Sequence, residues 1–289
     1  MSRTLSGGLV THLAGRTHTR VRMVRIDLAD GTSLGLTSHD RPIDFDLGDG
    51  VLTYSPRTGI TLSDLALSTG FDADDVEIRG PITATGLTTL AAMLGGRFDD
   101  AVVRVFQVNW SNLAQGAIKL LKGYVALAKV DGPEFILTAH SEVSKFARIQ
   151  GWVTTPYCRW EFGSTECGAT PVEDAATVAG VTSEGEFSVT YSGAHADHFF
   201  DRGVVVFTSG ALTGIRPVEI FSQVGGALEL FTGLPQAPEV GDAVTVRQGC
   251  GHTRADCVVI QGNATNFGGE PDLPGSDRLL RYPNPGSTG

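Results

Sequence analysis

At 289 residues, 41% of them hydrophobic and only 19% charged, the chain can bury a sizeable core in two or three domains, and its 37 glycines mark it as turn-rich and globular rather than disordered. Its 32 acidic and 22 basic residues leave a net charge of −10, which speaks against a groove that grips nucleic acid by its phosphates, because counterion release requires clustered Lys and Arg. The start MSRTLSGGLVTHLAGRTHTR has no sustained apolar stretch of the kind a secretory signal needs, and no run approaches the length of a membrane span. The expectation is therefore a chain folded in a cytosol, where thiols stay reduced.

Residues 5 to 19 carry Leu5, Leu9 and Leu13 at i, i+4 spacing, which predicts a short surface helix or arm, with His12 and His18 on it. From Arg20 the signal turns to strands. VRMVRIDL, the turn Ala29-Asp30-Gly31 and SLGLTSH read as a β-hairpin, followed by strands in PIDFDL, VLTYSP, DLALST and DVEIRG with turns at Asp49-Gly50 and Thr69-Gly70. One helix is expected from about Thr88 to Leu94, stopped by Gly95-Gly96. In AVVRVFQVNW both faces are largely apolar, the mark of a central strand; AIKLLKGYVALAKV and EFILTAHS complete a meander, and SEVSKFARIQ reads as a short helix. A small barrel or sandwich with one helix is the expected N-terminal domain. The adjacent Ser38, His39 and Asp40 do not predict catalysis, since triad members come from separate elements and no G-x-S-x-G accompanies them.

Cys158 and Cys167 are separated by eight residues, Cys250 and Cys257 by six, and 82 residues lie between the pairs. Four cysteines so arranged admit a zinc site, an iron–sulfur cluster or two disulfides. Zinc knuckles hold two to four residues between ligands; longer spacers set sulfurs further apart and favour a multi-iron cluster, mildly. Trp152, Tyr157, Trp160 and Phe162 around the first pair suggest an apolar cap that excludes water. Further strands are expected in EGEFSVTY, GVVVFTSG, PVEIFSQ, ALELFTG and DAVTVRQ, the last leading straight into Cys250. His195 and His198 read as solvated rather than metal-binding, having no third ligand of matching spacing. After Cys257, Asn and Gly suit tight turns whose backbone N–H groups can donate to sulfur.

The two cysteine pairs, Gly249-Cys250, and the run Asn263, Asn266-Phe267-Gly268-Gly269, Pro271, Pro274-Gly275 together resemble the baseplate hub and tail-tip proteins of long-tailed phages. Within that group the chain is most similar to the hub of alphaproteobacterial gene transfer agents, and more distantly to the tail-tip protein L of phage lambda. The resemblance covers roughly residues 148 to 276. It implies a [4Fe–4S] cluster held by Cys158, Cys167, Cys250 and Cys257, with zinc as the alternative. It also implies a homotrimeric ring around the DNA exit channel of a tail baseplate, between the distal tail protein and central fibre-type proteins, assembled in the bacterial cytoplasm, with DNA only passing through and no stable nucleic-acid binding. The expected division is an N-terminal tail-tube-like β domain over 1–148, a smaller β domain closed by the four-cysteine site over 149–276, and a flexible tail over 277–289. The expected role is structural and not enzymatic, since no dinucleotide, P-loop or His-Glu-x-x-His fingerprint occurs. A metal-containing redox or hydrolytic enzyme, or a carbohydrate-binding module using Trp110 or Trp152, are the competing readings. An acidic channel wall, drawing on Asp44, Asp46 and the Asp72–Asp75 loop, would let DNA slide without sticking.

Overall fold

Strand-forming residues from Arg20 onward build the first half of the molecule. The computed structural model describes residues 5–56, 61–63, 75–147 and 151–273. A short helix, α1 (Gly7–Ala14), comes first; the Ser6 hydroxyl caps it by accepting the Leu9 N–H, and only Leu9 is buried. The expected hairpin forms as β1 (Arg20–Asp27) and β2 (Ser33–Thr37), with Gly31 in the left-handed conformation at its turn (φ 82°) and the Asp30 carboxylate accepting the Thr32 N–H. There follow β3 (Ile43–Asp46), β4 (Val51–Tyr54), β5 (Thr61–Leu62), β6 (Asp75–Pro81), α2 (Leu90–Leu94), β7 (Val102–Asn109), β8 (Ala117–Asp131) and β9 (Glu134–Ser141), then a 3₁₀ turn over Glu142–Ala147. The helix expected at 88–94 is thus a single turn capped by Thr89, because Gly95 and Gly96 end it at once.

Seven strands form one antiparallel sheet in the order β2-β1-β7-β8-β9-β6-β5, with β3 and β4 as a separate hairpin. The central strand β7 keeps Val103 and Val105 in one core with Ile26, Leu36, Phe98, Phe135 and Leu137. Past an irregularity against β8 it turns Phe106 and Val108 to the opposite face. There Phe45 and Tyr54 of the β3–β4 hairpin pack on the Phe106 ring at 5.8 and 5.5 Å. This is why both faces of β7 read as apolar. Among the described residues the sheet runs from β2 to β5 without closing into a barrel, one of the two N-terminal forms expected, and the outer edge of β2 meets Ser55 beyond β4, whose N–H donates to the Gly35 carbonyl (3.0 Å) and whose carbonyl accepts the Thr37 N–H (3.4 Å). The strand expected in DLALST, the Thr69-Gly70 turn, the acidic residues 72–74 and the tail 277–289 lie outside the described residues.

The closed barrel lies in the second half. It comprises β10 (Glu173–Val181), β11 (Glu186–Tyr191), β12 (Val204–Phe207), β13 (Val218–Val224), β14 (Ala227–Leu230) and β15 (Ala243–Arg247), in the order β10-β11-β14-β13-β12-β15, with β15 pairing back onto β10. Apart from irregularities in β10 and β13 the faces alternate: Phe187, Val189, Val205, Phe207, Ile220, Leu228, Leu230, Val244 and Val246 point inward and are nearly inaccessible, filling the interior as a small barrel requires. Each such side chain contributes about 2 kcal/mol by leaving water. The chain divides into two units, Met1–Ile149 with Ala211–Arg216 and Leu234–Gln236, and the remainder. No helix among the described residues is long and apolar enough to cross a membrane.

Candidate metal centre

The last barrel strand carries the third cysteine to its place. Beyond β15, the Gln248 N–H donates to the Val172 carbonyl at 2.8 Å, and the Gln248 side-chain oxygen accepts the Val172 N–H at 3.4 Å. Gly249 then passes so close to Arg202 and Gly203 that a β-carbon would overlap their backbone, so only glycine permits the crossing that sets Cys250 at the barrel's end. The chain turns at His252 (φ 55°), and Thr253 opens an irregular turn: its hydroxyl donates to the Asp256 carboxylate (2.7 Å), and its carbonyl accepts the Cys257 N–H (3.1 Å). Cys257 sits on the π-helical turn Asp256–Ile260 and is the one buried cysteine of the four.

The loop bearing the first pair is tied to this segment by hydrogen bonds. The Cys158 N–H donates to the His252 carbonyl (2.7 Å), and His252 Nδ1 lies 3.2 Å from the Cys158 carbonyl. The Gly268 N–H donates to Cys158 Sγ (3.3 Å), and the His252 N–H to Cys250 Sγ (3.4 Å). Asn263 joins the two loops: its amide donates to the Cys167 carbonyl (2.5 Å) and lies 3.8 Å from Cys167 Sγ, while its own carbonyl accepts the Cys257 S–H (3.1 Å). A second clasp pairs Arg159 with Glu270; Arg159 Nε donates to the Gly268 carbonyl (2.6 Å), and Thr155 and Glu270 exchange N–H bonds. The Thr155 N–H, reinforced by Arg159, holds the Glu270 carboxyl below its usual range. Gly268 and Gly269 are required here because a β-carbon would meet the Trp160 indole at the first and the Tyr157 backbone at the second.

All four thiols share one electrostatic neighbourhood. Burial pushes the Cys250 thiol up; the His252 N–H works against this, while Asp256, Cys167 and Cys158 add to it. Burial also raises Cys257, with Cys158, Cys250 and Cys167 contributing. None of the four is in a disulfide, so the two disulfides allowed by the sequence do not form in this structure. No three His, Cys, Asp or Glu among the described residues are grouped closely enough for one metal ion. A tetrahedral ion with sulfur at about 2.3 Å needs its ligands within about 4 Å of one another. Two of the thiols, Cys158 and Cys250, accept backbone N–H groups and all four interact electrostatically, an arrangement that suits a thiolate-ligated centre with more widely spaced sulfurs than one ion takes. A cleft of about 420 Å³, lined by Phe199, Arg202, Asp256 and Gln261, reaches Cys250 from solvent.

Residues 6–170 match the family described as baseplate hub protein, N-terminal attachment domain. The chain belongs to the phage baseplate hub family. A second family, phage conserved hypothetical protein BR0599, matches residues 198–277 of this hub. A solved chain described as "Virion of native gene transfer agent (GTA) particle" is similar over 98% of both chains, at 26% identity and a TM-score of 0.82. Among curated protein sequences none matches. This hub is thus a structural component of a virion baseplate.

Other sequence expectations fare unevenly in this hub. Of the four aromatics expected to cap the cysteines, Trp160 and Phe162 are half-buried, but Trp152 is 71% and Tyr157 58% exposed. His198 is solvated as expected. His195 is not: its side chain is only 14% exposed, with Nε2 2.6 Å from the Asp174 carboxylate and its ring against Tyr191, Phe199 and Phe200. The flanking acids suggested exposure, but Asp174 comes from a distant strand and covers it. Hydrogen bonds from Ser192 first, and then from His195 and the Gly193 N–H, hold Asp174 below the usual carboxylate range. His39 pairs with exposed Asp40 and not with Ser38, whose hydroxyl donates to the Arg22 carbonyl, so the trio is not a triad. Asn263 and Arg159 escaped sequence reasoning as organisers of the site; the one available signal was the position of Asn263 in the Asn/Gly run after Cys257.

Proposed function

We propose that this hub forms a homotrimeric ring around the DNA exit channel in the baseplate of a gene transfer agent-like particle, between the distal tail protein and central fibre-type proteins. In this reading Cys158, Cys167, Cys250 and Cys257 hold a [4Fe–4S] cluster that pins the second unit. The single observation that carries the cluster is the meeting of the two cysteine loops through Asn263, Gly268 and His252, with N–H groups directed at sulfur. The likeness to a chain of a gene transfer agent virion over nearly the full length supports the particle assignment.

When bound, the cluster supplies four metal–thiolate bonds that cross-link two loops otherwise far apart in sequence. The protein's own residues do the rest: Gly268 and His252 donate to sulfur, Asn263 sets the spacing of the two loops, and the Arg159–Glu270 pair closes the outer side. With all four cysteines used as ligands, no protein position is left open, which favours structure over substrate chemistry. Asp44 and Asp46, exposed on β3, and Asp75, exposed at the start of β6 and paired with His140, are the described candidates for an acidic channel wall that repels phosphate. The test is anaerobic purification with iron and acid-labile sulfide analysis: brown protein with matched iron and sulfide supports the cluster, and colourless zinc-bearing protein overturns it. Microscopy of assembled particles decides the ring, and a neutral or basic lumen ends the acidic-wall reading.

A further inference from the structure

Trp110 follows the last residue of the central strand β7, and a buried neighbour holds it in place. Asn109 is 2% exposed; its side-chain oxygen accepts the Thr19 hydroxyl, the Ser111 hydroxyl (2.8 Å) and the Ser111 N–H (3.1 Å), and its amide donates to the Gln115 side-chain oxygen (2.8 Å). The Trp110 N–H donates to the Thr19 carbonyl (3.0 Å). Both sides of the turn are thus fixed, yet Trp110 stays 46% exposed. An indole left half in water adds little to folding, so folding alone gives no reason to fix it there.

The indole lines a cavity of about 700 Å³, a size within the range of small-ligand sites. His39 lines it too: its ring is tilted 51° to the indole with centroids 5.2 Å apart, its N–H donates to the hydroxyl of buried Thr37 (3.2 Å), and its Nδ1 lies 3.0 Å from the Arg41 amide nitrogen. Buried Ile43 and half-buried Leu113 give the cavity an apolar side continuous with the core around Phe45 and Phe106. Asp40 and Arg41 add one exposed acid and one exposed base, and the Arg41 guanidinium has no partner among the described residues. Asp44, also on the lining, accepts the Thr53 hydroxyl (2.6 Å).

This set of groups selects among ligand chemistries. A phosphate would meet the carboxylates of Asp40 and Asp44, and a cation would meet Arg41. A wholly apolar ligand would leave the polar groups without partners. A neutral sugar satisfies all of them, because a hexose has a face of C–H bonds that stacks on an aromatic ring and an edge of hydroxyls that both donate and accept. Trp152 does not offer the same platform: its ring meets Trp160 edge to face (5.0 Å), and the Arg159 guanidinium already lies over it at 5.6 Å. Every residue that lines the Trp110 cavity belongs to the first unit, so the site does not depend on what the cysteines hold.

We propose that this cavity binds a neutral hexose glycan, with the C–H face of one sugar stacked on Trp110 and its hydroxyls bonded to Asp40 and Arg41. The test is saturation-transfer NMR on the full-length protein with maltotriose, cellotriose and tri-N-acetylchitotriose as probes. Saturation should pass to the ring C–H protons of at least one of them, with a Kd on the order of 1 mM. Trp110→Ala should weaken that binding about tenfold, the order expected for removing one stacked ring, and Trp110→Phe should keep most of it. Asp40→Ala should weaken it as well, and because the Asp40 side chain is 81% exposed this change leaves the core intact and separates loss of the site from misfolding. Absence of transfer to all three sugars overturns the proposal, as does binding that is unchanged in Trp110→Ala or lost only in Trp152→Ala. Choline or adenosine monophosphate binding more tightly than every sugar also overturns it, since the cavity then serves a cation or a nucleotide.

Discussion

The barrel of the second unit and the cysteine loops at its end are held together by different forces. The barrel closes around Phe187, Phe207, Ile220, Leu228, Val244 and Val246, all nearly inaccessible, and needs nothing beyond apolar burial and its strand ladder. The loops 151–170 and 248–273 bury only Cys257 and Gln248 among their described side chains, and they are joined by hydrogen bonds to backbone, to sulfur and between Arg159 and Glu270. A region with so little core holds a fixed shape only if something else cross-links it, as small metal-bound modules do. One barrel thus supplies a rigid rim, and the loops use it as a frame.

The sharpest way to break this contrast is Cys250→Ser. Linking the cysteine pairs closes a loop of more than about 80 residues, for which chain entropy predicts a stabilisation of about 4 kcal/mol. Hydrogen exchange should rise throughout 151–170 while the strands β10–β15 stay protected; an assembled, gene-transferring particle carrying this substitution would count against a structural centre. In the barrel, Phe207→Ala should cost about 3 kcal/mol and lower the unfolding midpoint of rim and loops together, because the loops have no independent core. If the loops held their protection in that variant, the dependence on the frame would be refuted.

Asn263→Ala removes the link between the loops and leaves the Cys167 carbonyl without its donor. It should cost about 2 kcal/mol locally and reduce retention of the centre without changing the far-ultraviolet circular dichroism of the barrel. The smallest effect expected is one of pH. Asp174 is held below its ordinary range in the folded state, so its contribution is present above about pH 4 and is lost as pH falls through the lower folded value. Thermal unfolding followed from pH 6 to pH 3 should show a fall that Asp174→Asn reduces, with Glu270 supplying part of the remainder, while exchange at Cys158 and Cys257 does not follow Asp174. A fall of equal size in that variant would remove Asp174 as its cause.

Much of the strand order could be read from local pattern. β1 and β2 with the Asp30-Gly31 turn, β7 with two apolar faces, and β15 running into Cys250 all stand where alternation and turn residues put them. The site was legible as two cysteine pairs in turn-rich loops, and Gly249, Gly268 and Gly269 do occupy close approaches of backbone. Exposure was read less well. Trp152 and Tyr157 look like capping residues by type, yet face solvent, and His195 looks solvated beside Asp197 and His198, yet is covered by Asp174.

From the sequence alone came the β-rich rhythm, the short helices, the thiol pairs and the glycines that let the chain turn, because these depend on side-chain period and backbone freedom within a few residues. Only the tertiary structure decided which sheet closes. Among the described residues the N-terminal sheet runs from β2 to β5 without closing on itself, whereas β15 returns across more than sixty residues to pair with β10. It also decided that Asn263 reaches Cys167 and that Asp174 reaches His195. Those contacts join residues far apart along the chain, and their geometry is set by strand twist and packing, which no local pattern records.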